Sequence, residues 1–168
     1  MKAKLALFSV LLSWVATAIT PFDLQWMNHK VVGTNYKSSA HPKGVFLIET
    51  YFRNCPYCVQ NAPNVNDLAG KYANEPRVQV IDLGIDKTDA EYASWIALTK
   101  PNHPVLKDAG MKVVRELGTT GYPSTYVLDS QLKVVYKHSG VWASAARRQI
   151  QITIDQLLKS KEGTLDVD

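Results

Sequence analysis

Val45-Phe46-Leu47-Ile48-Glu49-Thr50-Tyr51-Phe52-Arg53-Asn54-Cys55-Pro56-Tyr57-Cys58 is the stretch that decides the fold. Its first eight residues are aliphatic, aromatic or β-branched apart from Glu49, and Lys43-Gly44 and Arg53-Asn54 bound them, which is the pattern of a buried strand. From Pro56 to about Tyr72, apolar residues recur at spacings of three and four through Val59, Ala62, Val65, Leu68, Ala69 and Tyr72. The spacing predicts a helix that begins at the cysteines. A buried strand therefore runs straight into a helix, with two thiols at the junction.

Cys55 and Cys58 lie three residues apart, so on a first helical turn they share one side and can close a small ring. At a helix N-terminus, unpaired backbone N–H groups and the positive end of the macrodipole favour the thiolate, the form that attacks disulfides. Pro56 suits the first helical position, where its missing N–H is no loss. On this reading Cys55 is the exposed nucleophile, and Cys58, one turn inside, resolves the mixed disulfide that Cys55 makes with a substrate. Three other uses of the pair compete. Zinc needs two further ligands, and His29, His41, His103 and His138 lack the spacing of a zinc site. Covalent haem needs His at position 59, which is Val59. A purely structural disulfide across so small a ring removes little chain entropy from the unfolded state. Redox exchange is the reading the residues favour.

Outward from this junction, Arg77 to Asp86 reads as a second central strand, Asp89 to Leu98 as a helix, and Met111 to Leu117 as a short helix stopped by Gly118. Pro123 to Leu128 and Lys133 to His138 read as strands joined by a turn at Asp129-Ser130-Gln131. A last helix carries Ala146, Ile150, Ile154 and Leu157 on one face. Phe22 to Val32 reads as an extension with short strands, and Gly33 to Gly44 as a loop. Strands alternating with helices, then a hairpin and a closing helix, imply one α/β domain: a mixed sheet with helices on both faces.

The 168 residues are 46% hydrophobic and 20% charged, which suits a globular chain rather than a disordered one. A net charge of +4 from 19 basic and 15 acidic residues is too mild and too scattered for a nucleic-acid binder. Met1, Lys2 and Lys4 precede an apolar run from Leu5 to Val15, and Ala16-Thr17-Ala18 supplies the small residues of a cleavage site. Residues 1–18 are thus expected to be a cleaved signal peptide and 19–168 the mature domain, exported to the periplasm or secreted. The apolar run falls short of the ~20 residues that span a bilayer. A domain of this size does not need a disulfide to fold, so a lone cysteine pair outside the cytosol is expected to be used for chemistry.

The order and spacing of these features resemble the thioredoxin superfamily, and more particularly its exported TlpA-like branch. The strand leads directly into Cys55-Pro56-Tyr57-Cys58, and Pro63 follows where the family's active-site helix has its kink. Gly121-Tyr122-Pro123-Ser124-Thr125 precedes a strand, as the family's cis-proline loop does, and Glu49 stands six residues before Cys55, where relatives carry a buried acid. The resemblance covers roughly Phe22 to Leu158 and implies a thioredoxin-like fold. It further implies that Glu49, which by position alone could be a buried acid or a strand-end residue reaching water, exchanges a proton with Cys58. It implies that Pro123 is cis, that the Tyr122 backbone pairs with an extended substrate segment, and that Pro56, Tyr57, Tyr122 and Pro123 face the substrate. The function implied is a thiol–disulfide oxidoreductase acting on protein thiols or disulfides, cycling Cys55 and Cys58 with a redox partner protein, in the reducing direction and with no bound cofactor. The competing functions are an oxidant of folding proteins and a non-redox thioredoxin-fold binding module such as a chaperone or metal carrier.

Overall fold

The computed structural model describes residues 18–160. The expected signal peptide, apart from Ala18, and residues 161–168 lie outside them. Seven strands form one sheet: β1 (Asp23–Trp26), β2 (Asn35–Lys37), β3 (Val45–Tyr51), β4 (Val78–Gly84), β5 (Val105–Lys107), β6 (Ser124–Leu128) and β7 (Val134–Ser139). Four helices accompany them: α1 (Pro56–Lys71), α2 (Asp89–Thr99), α3 (Lys112–Glu116) and α4 (Ser144–Lys159). The strand order is β2-β1-β5-β4-β3-β6-β7. β3, β4 and β5 run parallel, while the remaining pairings are antiparallel. The mixed α/β sheet expected from the sequence is the fold observed.

β3 is buried at all seven positions, so alternate residues serve two different cores. Val45 and Leu47 join Val78 and Val80 of β4 in a core with Val65 and Leu68 of α1 and Ile150, Ile154 and Leu157 of α4. Toward the strand ends, Tyr51 joins Cys55, Cys58, Tyr92, Trp95 and Val105 in a cluster on that face. Phe46 and Ile48 belong to the opposite core, with Val113 and Val114 of α3 and with Phe22 and Tyr36 from the N-terminal segment. Helices thus cover both faces, though unequally. The five-residue α3 leaves much of its face to the N-terminal segment, where Phe22 and Tyr36 stack with ring centroids 6.2 Å apart.

Two short strands depart from the sequence reading. β5 lies between the expected Asp89–Leu98 and Met111–Leu117 helices, where no strand was expected, and β2 lies inside the expected Gly33–Gly44 loop. Three residues are too few to display a period of two. Their conformation is set by partners instead: β5 lies between β4 and β1, and β2 pairs with β1.

Gly84 ends β4 where no side chain fits. A Cβ there would sit 2.6 Å from Tyr92 Cε1 and 2.7 Å from the Tyr51 ring and hydroxyl. Gly84→Ala is therefore expected to lower the unfolding free energy in urea by about 1–3 kcal/mol, the usual cost of overpacking. Gly110→Ala, at a position with open space around it, is the control and is expected to leave stability nearly unchanged.

Candidate active site

Cys55 is the N-cap of α1, in extended backbone, and Pro56 occupies the first turn. Cys55 Sγ accepts the Cys58 backbone N–H at 3.1 Å, and the two sulfurs form a disulfide with Cα atoms 5.2 Å apart. Three elements hold this junction. The Cys55 N–H donates to Phe52 O at 3.1 Å; the Arg53 N–H donates to both Asp86 oxygens at 3.0 and 2.9 Å; Arg53 Nε donates to Ser94 Oγ of α2 at 2.6 Å. The segment just after β4 and the middle of α2 thus fix the turn that presents the cysteines.

The expectation of an exposed nucleophile is corrected by the structure. In the disulfide state Cys55 is only 3% exposed and Cys58 2%, because the pair belongs to the cluster of Tyr51, Ala62, Tyr92, Trp95 and Val105. The residues that reach solvent beside it are Asn54 and Pro56, both exposed, and Tyr57, at 62%. Across from them the Tyr122–Pro123 peptide is cis. Pro123 is buried and Tyr122 half-buried; Tyr122 packs against the cysteine cluster and meets Phe52 edge to face at 5.5 Å.

Glu49 lies on the α1 face of β3, 3% exposed. Both its oxygens are engaged: Asn61 Nδ2 donates to Oε1 at 2.7 Å and Thr125 Oγ1 donates to Oε2 at 2.5 Å. Trp142 closes the network, its indole N–H donating to Thr125 Oγ1 at 2.6 Å and its backbone N–H to Asn61 Oδ1 at 2.9 Å. Asn61 follows Cys58 by one turn on the buried face of α1, so the carboxyl is tied to the turn next to Cys58. Burial pushes Glu49 up to about 8, against the downward pull of the Thr125 and Asn61 hydrogen bonds and with a smaller upward push from Asp82. These opposed effects leave a carboxyl able to hold or release a proton near neutral pH.

Asn61, Thr125 and Trp142 escaped the sequence reading. Asn61 was detectable as the one polar residue among the apolar positions of α1, and Thr125 as part of the proline loop's strand. Trp142 carried no such mark, since its role depends on how α4 returns to the sheet. Among the described residues no group of three or more His, Cys, Asp or Glu is placed to hold a metal ion.

A disulfide capping the helix that follows a central strand, with a cis proline beside it, defines a thioredoxin-like protein. Residues 15–137 match the AhpC/TSA family, and the chain belongs to that family. It is 30% identical over 98 residues to the thiol-disulfide oxidoreductase ResA of Bacillus thuringiensis subsp. konkukian, an alignment covering 58% of this chain and 56% of the relative. It is also 30% identical over 95 residues to the thiol:disulfide interchange protein DsbE of Pasteurella multocida, covering 56% and 50% of the two chains. The chain thus spans about half the length of these curated relatives. The crystal structure of a putative DsbE from Chlorobium tepidum superposes with a TM-score of 0.68 at 22% identity, over 83% of this chain and 92% of that one, which establishes the shared fold.

A carboxyl held above its unfolded value makes stability fall as pH rises. Below about 4.5 Glu49 is protonated folded or unfolded; between 4.5 and about 8 only the folded chain keeps the proton; above 8 neither does. Unfolding free energy is therefore expected to fall across this window, with Glu49 contributing a slope approaching ~1.4 kcal/mol per pH unit. In Glu49→Gln that contribution is absent, which denaturant unfolding at several pH values will reveal as a shallower profile.

Proposed function

We propose that the protein is an exported thiol–disulfide oxidoreductase that reduces protein disulfides through Cys55 and Cys58. The observation that carries this reading is a disulfide capping α1, the helix whose following turn holds a buried, protonatable Glu49 through Asn61. In the reduced protein, the Cys55 thiolate attacks one sulfur of a substrate disulfide and expels the other as a thiolate. Cys58 then gives its proton to Glu49 and attacks Cys55 Sγ, releasing the second substrate thiolate and closing the Cys55–Cys58 disulfide. Two electrons pass from the cysteine pair to the substrate, so the pair itself carries the chemistry and a bound cofactor has no part in it. A dithiol of a redox partner restores the pair: its first thiolate attacks Cys55 Sγ and expels Cys58, which takes back a proton from Glu49. Its second thiolate then attacks the partner sulfur of that mixed disulfide and expels the Cys55 thiolate, leaving the partner oxidised to a disulfide.

The Cys58 N–H that points at Cys55 Sγ, together with the start of α1, supplies the positive potential that favours a Cys55 thiolate. Tyr57 and Tyr122 border the pair and offer aromatic surface to an extended polypeptide, which the backbone at Tyr122 and Pro123 would align as a short added strand. Export is supported by the basic N-terminus, the Leu5–Val15 apolar run and Ala16-Thr17-Ala18. Among the described residues no helix is long and apolar enough to cross a membrane. The reducing direction follows the resemblance to the TlpA-like branch.

Thiol trapping with a model disulfide tests the exchange. Cys58→Ser is expected to accumulate a mixed disulfide on Cys55, and Cys55→Ser to form none. Glu49→Gln is expected to leave the first attack intact and slow resolution by on the order of 100-fold, the usual scale of general acid–base assistance. A folded wild-type protein that shows no exchange would overturn the reading in favour of a binding module. Equilibration against a glutathione series assigns direction: a potential below that of the glutathione couple is expected, and one well above it would make the protein an oxidant.

A further inference from the structure

The expected cleavage point lies inside the folded domain rather than on a loose end. Ala18 pairs with Lys133, just before β7, as an antiparallel bridge, and the Ile19 N–H donates to Leu132 O at 3.0 Å. Ile19 is 5% exposed and belongs to the core of Phe22, Phe46 and Leu132. The Thr20 N–H donates to Glu116 Oε2 at 2.7 Å, and the Thr20 hydroxyl stands 2.9 and 2.8 Å from the two Glu116 oxygens at the end of α3. Phe22 is buried too; its N–H donates to Ser38 Oγ at 3.0 Å, and the Ser38 N–H donates back to Phe22 O at 3.0 Å. Residues 18–22 thus form a strap fastened to three separate parts of the chain.

The turn that receives the strap is itself fixed. Asp129, 1% exposed, accepts the Gln131 and Lys133 N–H groups on Oδ1 at 2.9 Å each, and the Leu132 N–H donates to Asp129 O at 3.0 Å. A peptidase binds the chain around its scissile bond as an extended strand, so the residues on both sides have to enter its cleft. Bonds cut in folded proteins accordingly lie on exposed, weakly bonded backbone. The Ala18–Ile19 bond does not. Its own nitrogen is the one that donates to Leu132 O, and the side chain that follows it is buried.

We propose that folding seals the Ala18–Ile19 bond, so that the signal peptide is removed only while the strap is open and the chain is exported unfolded rather than as a finished domain. Cleavage itself is hydrolysis: water adds across the amide, leaving a carboxylate on Ala18 and an ammonium on Ile19. In the folded chain its rate follows the fraction of time that the strap is detached from Leu132, Glu116 and Ser38. The inference rests on the export reading, which supplies the cleavage after Ala18. It adds when that cleavage can happen and what state of the chain the export route must accept.

The test gives the full chain, purified uncut and folded in detergent micelles, to purified membrane signal peptidase, with near-ultraviolet circular dichroism as the check on folding. A peptide of residues 1–30 is the reference, since it contains the bond and none of the strap's partners. The folded chain is expected to be cut at least about 10-fold more slowly than the peptide, as for a strap open a tenth of the time or less. Glu116→Ala removes the partner of Thr20 without altering residues beside the bond, and is expected to speed cleavage of the folded chain about threefold or more. Should that variant not fold, Ser38→Ala, which frees the Phe22 N–H, takes its place with the same expectation. Equal rates for folded chain and peptide would overturn the seal and leave the export reading standing. Slow cleavage that the folded variant leaves unchanged would overturn the strap as its cause. A peptide that also stays uncut would remove the cleavage site, and the export reading and this proposal would fall together.

Discussion

The structure turns on a carboxyl that four elements have to hold. Glu49 of β3 is stabilised by Asn61 of α1 and by Thr125 of β6, and the Trp142 segment that leads into α4 ties both of these together. An unsolvated carboxyl without these donors would be costly to bury. The network therefore constrains how α1 and α4 sit on the sheet as well as the acid itself. The same contacts decide the chemistry. Burial favours the protonated form, the two donors favour the ionised one, and the balance falls near 8 rather than near the ordinary 4.5.

Around this acid the fold divides its labour. β3 and β4 deliver their C-terminal ends to one place, where Gly84 allows Tyr51 and Tyr92 to close beside the cysteines and Asp86 holds the Arg53 N–H. The stacking of Tyr51 on Trp95, 4.0 Å between centroids, fills the space beneath the disulfide. The opposite face of the sheet holds neither the cysteines nor Glu49, and Tyr122 reaches the cores of both faces. There the N-terminal segment, through Phe22 and Tyr36, supplements a helix of five residues. Reactive and supporting residues are thus kept on separate faces of one strand, which is possible only because successive residues of β3 point opposite ways.

The junction of strand and helix was legible in the sequence because both patterns are strong there: a mostly apolar, β-branched and aromatic run to Phe52, then apolar residues every three or four positions to Tyr72. Glu49 stood out as the single charge in that run. The resemblance to the thioredoxin superfamily, carried by the spacing of Glu49, Cys55, Cys58 and Pro123, holds at the level of fold and family. What could not be read depends on contacts distant in the chain. Strands of three residues leave no periodic trace, as β2 and β5 show. The burial of Cys55 comes from Tyr92, Trp95 and Val105, which follow it by 37 to 50 positions. Asp82 and His103 are separated by 21 residues and meet only because β4 and the segment before β5 lie side by side.

In the exchange we propose, an acid poised near neutrality gives the pair of sulfurs a place to leave or find a proton without opening the core to water. The most direct measurement of that claim is the titration of the Glu49 side-chain carboxyl itself, by carbon NMR of the disulfide form from the acidic through the alkaline range. The account predicts a single transition centred near 8. A transition at the value of an ordinary, water-exposed glutamate would contradict it.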